Sequence, residues 1–427
     1  GVKMEINEFH INNILKDMEK KEYQGYLLAQ FTNIHYISNY KPTSFAFCVI
    51  KEDPIIYASK MDMEIANKTS TIEVKEFTSF SDMLGELKKE GISNLAIEPS
   101  LVYSTYEKFK DSFNIKSETF IDAQRQIKTA DEIDEIQKAT QIAQKAFVDL
   151  DILNNTNPEN IVALELDNLM RKYGADGSSF DTIVTSGSNS SLPHATPQDK
   201  QLEKPILIDW GAKYHGYCSD NTRTIVYTEK QNEICDIVAE AHDKAIKAIK
   251  PGLKCCEIDK VARDIISEYG YGDNYIHSTG HSVGLDIHEI PTFSTKDKTV
   301  IEKGMVITVE PGIYLEDNFG VRLEDTIAIE KNKGRKHKKD AVAPESEKTI
   351  PYRPRKSRQK EIDLPLGSFD TEDSYHPMND DYEEPVVIDE DELDEEVLRE
   401  MMDEDDREGE ELWKKISRRD DTHKKRK

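Results

Sequence analysis

The chain has 427 residues, with 57 Lys and Arg against 83 Asp and Glu and a formal net charge of −26 at pH 7. That length is too great for one compact core and suits two domains with appendages. Such acidity argues against binding nucleic acid through phosphates, and the lack of a long apolar run argues against a membrane span.

Residues 6–20 carry apolar side chains at helical spacing, and strand-like runs follow at residues 25–30, 46–50 and 54–58. Helical stretches at residues 61–68 and 80–90 lie among later strands, so residues 4–123 predict a mixed sheet with helices packed on it. Within it, Thr32-Asn33-Ile34-His35-Tyr36 reads as a packing segment rather than a substrate contact. Residues 132–153 predict a long amphipathic helix, and residues 158–173 a second with Pro158 near its first turn, where a missing N–H costs least. Strands are expected at residues 181–185, 205–210 and 217–227, helices at 233–249 and 256–269, and strands at 305–310 and 321–329. Two helices followed by a carboxylate-bearing pair of strands thus occur twice, which predicts an internal duplication with a site between the halves.

From residue 333 the patterning changes. About 24 acids face about 2 bases between residues 361 and 412, between flanking basic blocks of about +7 and +6. Segments this charged, with few aromatics, bury too little surface to offset chain entropy, so residues 333–427 are expected to be a disordered tail. Leu393, Val397, Leu398, Met401 and Met402 have the spacing for one short acidic helix within it. Removal of the tail is expected to leave catalysis intact. Gly1-Val2-Lys3 reads as extra sequence ahead of a start at Met4, with no apolar secretory segment after it. Cys48, Cys218, Cys235, Cys255 and Cys256 are scattered without zinc-finger spacing, which points to a reducing cytoplasm. Cys218 in particular reads as a small packing residue.

The chemistry concentrates in one set of residues. Asp209 ends an apolar strand before Trp210-Gly211, and Asp220 lies on the next strand after a turn, so both can share a face. Glu310 and Glu324 repeat that arrangement, and His281 stands in Thr279-Gly280-His281-Ser282 between His277 and His288. Ionised groups in apolar strands are expensive unless neutralised. Four carboxylates and an imidazole make an oxygen-rich cage suited to two divalent cations sharing a water. The carboxylates favour Mn, with Co, Zn or Fe compatible.

These motifs resemble the M24 "pita-bread" metallopeptidases, in the branch of Xaa-Pro dipeptidases (prolidases) and Xaa-Pro aminopeptidases. The resemblance covers residues 4–330 and implies an α+β chain. Its parts are a creatinase-like amino-terminal α/β domain (4–123), a pseudo-two-fold pita-bread catalytic domain (124–332) and the charged tail (333–427). Ser282 is one departure, since the family usually has Gly after the metal-binding His. By this resemblance Asp209 holds one metal, Asp220 and Glu324 bridge two, and His281 and Glu310 complete the ligand set of the second metal. A hydroxide between the metals is the implied nucleophile, and Glu310 the proton carrier. His288 donates to the oxyanion, while His194 and His277 line the substrate pocket. Arg322 is implied to steady Asp220 or touch substrate, with Tyr314 in support. The expected activity is Xaa-Pro dipeptide hydrolysis, with Xaa-Pro aminopeptidase action on longer peptides as the alternative. Expected partners are peptides with proline second and another copy of the chain in a homodimer.

Other relatives fit less well. Methionine aminopeptidases share the cage but normally lack the first domain, and creatinase shares the layout but works without metals. A non-catalytic reading, by likeness to histone-chaperone subunits with an acidic tail, is opposed by the retained ligands.

Overall fold

The computed structural model describes residues 5–329; the expected tail and its acidic helix lie outside the described residues. The first domain starts with α1 (Glu5–Lys20), β1 (Gly25–Leu28), α2 (Phe31–Ser38), β2 (Ala46–Ile50) and β3 (Ile55–Ala58). After a 3-10 turn come α3 (Met63–Thr69), β4 (Glu73–Glu76), α4 (Phe80–Lys89) and β5 (Asn94–Ile97). It ends with α5 (Tyr103–Phe109), β6 (Asn114–Ser117) and α6 (Phe120–Gln126).

The six strands form one sheet in the order β4-β3-β2-β1-β5-β6, antiparallel only between β1, β2 and β3. Its inner strands are buried on both faces, as alternate side chains show, while the edge strands β4 and β6 are largely exposed. Tyr26, Leu28, Ile50 and Ile56 join a cluster with Ile14 of α1, Ile34 of α2 and Ile121 of α6. Leu27, Val49, Ile55 and Tyr57 join another with Met83 and Leu87 of α4 and Phe109 of α5. The segment read as packing at residues 32–36 falls in α2, with Asn33, Ile34 and Tyr36 buried.

The second domain opens with α7 (Ala130–Asp149), α8 (Glu159–Lys172), β7 (Gly177–Ser178), β8 (Ile183–Ser186) and β9 (Ile206–Trp210). β10 (Ala212–Tyr214), β11 (Tyr217–Cys218) and β12 (Asn221–Ile225) complete its first half. The second half has α9 (Glu229–Ala248), α10 (Cys255–Glu268), β13 (Gly280–Ser282), β14 (Glu289–Phe293) and β15 (Val306–Val309). β16 (Gly312–Leu315), β17 (Phe319–Arg322) and β18 (Asp325–Ala328) follow. The predicted duplication is therefore present: two helices, then antiparallel sheets β12-β9-β8 in one half and β14-β13-β15-β18 in the other.

Several ends differ from the sequence reading for local reasons. Helix α7 begins at a capping box between Thr129 and Glu132 and stops at Asp149, because Asp151 turns into the left-handed region at φ 48°. Helix α9 starts four residues before the expected 233, where Thr228 and Gln231 make a second capping box. Trp210 anchors β9 on α7, stacking on Phe147 at 4.4 Å and donating from Nε1 to the Ala143 carbonyl at 2.8 Å. Truncating a buried aromatic of this kind costs about 3–5 kcal/mol. Among the described residues no helix is long and apolar enough to cross a membrane.

The halves join edge to edge. An isolated antiparallel bridge pairs Thr222 with Glu324, and the Glu324 N–H donates to the Thr222 carbonyl at 3.2 Å. Arg223 reinforces the seam, donating to Asp325 Oδ1 at 2.7 Å and to the Glu324 carbonyl. Thr326 Oγ1 donates to the Asp220 carbonyl at 3.0 Å. The seam passes through the carboxylates singled out in sequence.

Candidate metal centre

Sheet register explains why the acids converge. Asp209 on β9 lies opposite Thr222 on β12, so Asp220, two residues before Thr222, emerges on the same face. In the other half Val309 lies opposite Asp325, and one further rung of that register sets Glu310 against Glu324. The expected continuous strands over 217–227 and 321–329 are each broken, at Ser219-Asp220 and at Leu323-Glu324. At both breaks backbone bonds leave the local ladder for the seam or a neighbouring turn, and a carboxylate faces inward. Two glycines permit the close approach: a Cβ on Gly211 would meet the Ser219 carbonyl oxygen at 1.9 Å, and one on Gly280 the Thr308 oxygen at 1.8 Å.

Ligand atoms of Asp220, His281 and Glu324 all lie within 4.8 Å of one another. His281 Nε2 is 3.5 Å from Asp220 Oδ2 and 3.4 Å from Glu310 Oε1. His281 Nδ1 lies 3.1 Å from the Ser282 carbonyl, which can only accept, so Nδ1 carries a proton and Nε2 faces the acids. The buried oxygens Asp209 Oδ1 and Glu324 Oε1 have no hydrogen-bond partner. Burial raises the Asp220 carboxyl well above its ordinary range, and Asp209 and Glu310 raise it further. Glu324 is raised in the same way by burial and by Asp220, Glu310 and Asp209; Glu310 is raised by burial against the pull of His281 and Arg322. Four acids here face one arginine and one imidazole. Orphaned oxygens and uncompensated negative charge fit bound divalent cations, which would supply both the missing ligands' partners and the missing charge.

Arg322 is placed differently from expectation. Its Nη2 donates to Asp209 Oδ2 at 2.6 Å, so the acid it steadies is Asp209 rather than Asp220, while it also lines the cavity where substrate would lie. The reason is the seam, which sets Arg322 beside Thr224 and Thr222 of the β9 half. Arg322 Nη1 also donates to the Tyr314 hydroxyl at 2.7 Å. Burial pushes that hydroxyl up to about 12, so it keeps its proton. His277 is pushed down to about 4 by burial, with Arg322 adding to the effect. Neutral His277 donates from Nδ1 to the Ser278 carbonyl at 2.8 Å, which leaves Nε2, 2.9 Å from the Tyr314 hydroxyl, as acceptor. Donation therefore runs outward from Arg322, to Asp209 on one side and through the Tyr314 hydroxyl to His277 Nε2 on the other. From Arg322, Thr222 Oγ1 carries the connection to Glu324 Oε2 at 2.7 Å.

His194 and His288 face the same cavity, of about 740 Å³, with Asp209, Asp220, His277, His281, Glu310 and Arg322. The His288 ring sits 4.4 Å from that of His281 at 60°, and burial lowers its pKa, with His281 and His194 adding to the shift. Ser282, the departure from the family pattern, donates to the Val306 carbonyl at 3.0 Å behind the cage. Cys218 is buried and takes no part, its Sγ 3.7 Å from the Leu285 carbonyl.

Sequence reasoning missed the contribution of the first domain. Gln30, Asp122 and Arg125 line the cavity, and Arg125 bonds Asp286 and Glu289 on either side of His288. Thr32 Oγ1 also reaches Asp286 at 2.9 Å. The signal available was the sequence Asp286-Ile-His288-Glu289, in which two acids flank a histidine and require cations from elsewhere in the fold.

Comparison with known proteins places the chain. The family model described as "Metallopeptidase family M24" matches residues 134–331, and "Creatinase/Prolidase N-terminal domain" matches residues 10–133. An Xaa-Pro dipeptidase of Pyrococcus horikoshii is 42% identical over 340 residues, covering 77% of this chain and 96% of the relative. The crystal structure of the prolidase from that organism superposes with a TM-score of 0.72 at 41% identity, over 76% of this chain and 96% of the other. An X-Pro aminopeptidase of Thermotoga maritima has a TM-score of 0.67 at 30% identity, over 74% of this chain and 95% of the other. With the acid-and-histidine cage set between two duplicated halves, the chain belongs to metallopeptidase family M24 and is a metallopeptidase carrying a creatinase/prolidase amino-terminal domain.

Proposed function

We propose that the protein is an Xaa-Pro dipeptidase working with two divalent cations, most readily Mn. Its catalytic part starts at α7, a few residues after the boundary expected at 123, and the first domain through α6 closes the cavity. The observation that carries the two-cation reading is the pair of orphaned buried oxygens, Asp209 Oδ1 and Glu324 Oε1, among four converging acids. Asp209 and Asp220 would hold one cation, His281 and Glu310 the other, with Asp220 and Glu324 shared. When bound, the cations polarise the scissile carbonyl and acidify a water enough to make it nucleophilic near neutral pH.

The remaining steps belong to side chains. Glu310 accepts a proton from the attacking water and returns it to the leaving prolyl nitrogen. His288, kept neutral by its surroundings, donates an N–H to the carbonyl oxygen as it becomes an oxyanion. His194 and His277 border the bound peptide. Arg322 and Tyr314 hold Asp209 in one orientation, so the ligand does not reorganise during the reaction. Phe180, Ile183, Pro193 and Ile287 offer the cavity an apolar wall against which a pyrrolidine ring can rest. Preference for proline is supported by the Xaa-Pro dipeptidase relative and by the tertiary amide, which demands no N–H acceptor from the site.

The test is to strip metal, restore Mn or Co, and offer Ala-Pro and a longer Ala-Pro-peptide. Hydrolysis of Ala-Pro alone is the expected result. Cleavage of both would make the protein an aminopeptidase, as in the Thermotoga maritima relative, and cleavage of neither would return it to a peptide-binding role.

A further inference from the structure

One cation behind the cage belongs to neither the metal site nor the substrate cavity. Lys128 sits in the segment joining the two domains, its N–H donating to the Gly304 carbonyl at 2.8 Å. Its side chain is 1% exposed, a state an ammonium tolerates only with partners. It has two: Nζ donates to Ser282 Oγ at 2.9 Å and to Glu289 Oε2 at 3.1 Å. Ser282 is the residue after His281, and Glu289 is the residue after His288. One ammonium therefore pins the residue following each imidazole.

The backbone between those anchors, residues 283–288, belongs to no strand, and beyond Glu289 the ladder is irregular. Ser282 on β13 lies opposite Glu289 on β14, but His281 lies opposite Thr292, so the ladder shifts register between His281 and Ser282. The bulge leaves Ile290 and Pro291 without rungs, and His288 precedes β14, so the ladder itself does not set its position. The Glu289 carboxylate is fixed from three sides, by Lys128, by Arg125 and by the Asp286 N–H at 3.2 Å. Burial opposes its ionisation, yet Lys128 and Arg125 hold its carboxyl below the ordinary range.

We propose that Lys128 is a positioning residue for His288, acting through Glu289 and braced by Ser282. It sets where His288 meets the substrate carbonyl without touching substrate itself. The inference rests on His288 acting on the oxyanion, as proposed above. Loss of the ammonium lets the β13–β14 turn relax, and a displacement near 1 Å at a reacting group lowers rate by about 100-fold.

The experiment is a double-mutant cycle on the metal-loaded protein with Ala-Pro, using Lys128→Met, His288→Ala and the pair, with bound metal measured in each. Lys128→Met is expected to lower kcat by roughly 10- to 100-fold with much less change in KM and no loss of metal. In the His288→Ala background the same change is expected to lower kcat by less than about twofold, because nothing remains to be positioned. An equal loss in both backgrounds, or no loss in kcat, overturns the proposal. Unchanged kcat in His288→Ala alone overturns instead the reading of His288 on which it rests. If Lys128→Met does not fold, Ser282→Ala replaces it: a kcat loss confined to the His288 background supports the proposal, and wild-type kcat contradicts it.

Discussion

The metal cage and the ion cluster beside it are both buried, both highly charged, and opposite in character. In the cage, acids outnumber cations and two oxygens have no partner. In the cluster, Arg125 and Lys128 pair with Asp286 and Glu289 and satisfy both carboxylates; the orphaned oxygen beside Arg125 is that of Asp122, which lines the cavity. The proton affinities diverge accordingly: Asp220, Glu310 and Glu324 are raised, whereas Glu289 is lowered. Imbalance with orphaned atoms marks a place that a ligand completes; balance marks a place the protein has completed itself.

Substitutions should separate the two regions. Asp220→Ala or His281→Ala removes a ligand from the cage and is expected to abolish hydrolysis of Ala-Pro while the chain still folds; activity equal to wild type would dissolve the distinction. Arg322→Met keeps every ligand but releases Asp209, and should lower metal affinity or activity by about 10–100-fold, read by metal titration and kcat/KM. Glu289→Gln breaks the paired cluster and leaves the buried Lys128 ammonium without its carboxylate. Its expected signature is a stability loss of about 3–5 kcal/mol by denaturant unfolding, where a cage substitution in metal-free protein should stabilise or do little.

The pH dependence sharpens the contrast. A carboxyl whose folded pKa is raised binds protons better when folded, so its stabilising effect is present at low pH. That effect is lost as pH rises from the ordinary carboxylate range through the raised value. Glu289 has the reverse sign: it stabilises above the ordinary carboxylate range, and that contribution is lost as pH falls through its lowered value. Metal-free protein should therefore lose stability as pH rises above the carboxylate range. Asp220→Asn should flatten that slope, and Glu289→Gln should flatten the acid side instead. Thermal unfolding across pH, with and without metal, reads both, and a common slope for the two variants would contradict the account.

The ligands were legible in sequence because an acid in an apolar strand is an anomaly that local pattern displays. Asp209, Glu310 and their partners needed only the period of a strand to be placed on one face. The breaks before Asp220 and Glu324 were not legible, since residues that leave a ladder to join the other half keep strand-like composition. Arg322 was expected to steady Asp220 or touch substrate; its bond to Asp209 was not legible because sequence does not report the Thr222–Glu324 bridge, 102 residues apart, that turns it that way. Lys128 and Arg125 escaped for a related reason. In a polar linker a lone Lys or Arg reads as solvated, and only the packing of two domains reveals it as buried.

The central claim is tested most directly by titrating fully metal-stripped protein with Mn while following Ala-Pro hydrolysis and bound metal together. Activity should be absent at the start and reach its maximum as two cations bind per chain. Hydrolysis that persists after stripping, or that is complete with one bound cation, would contradict the two-cation site.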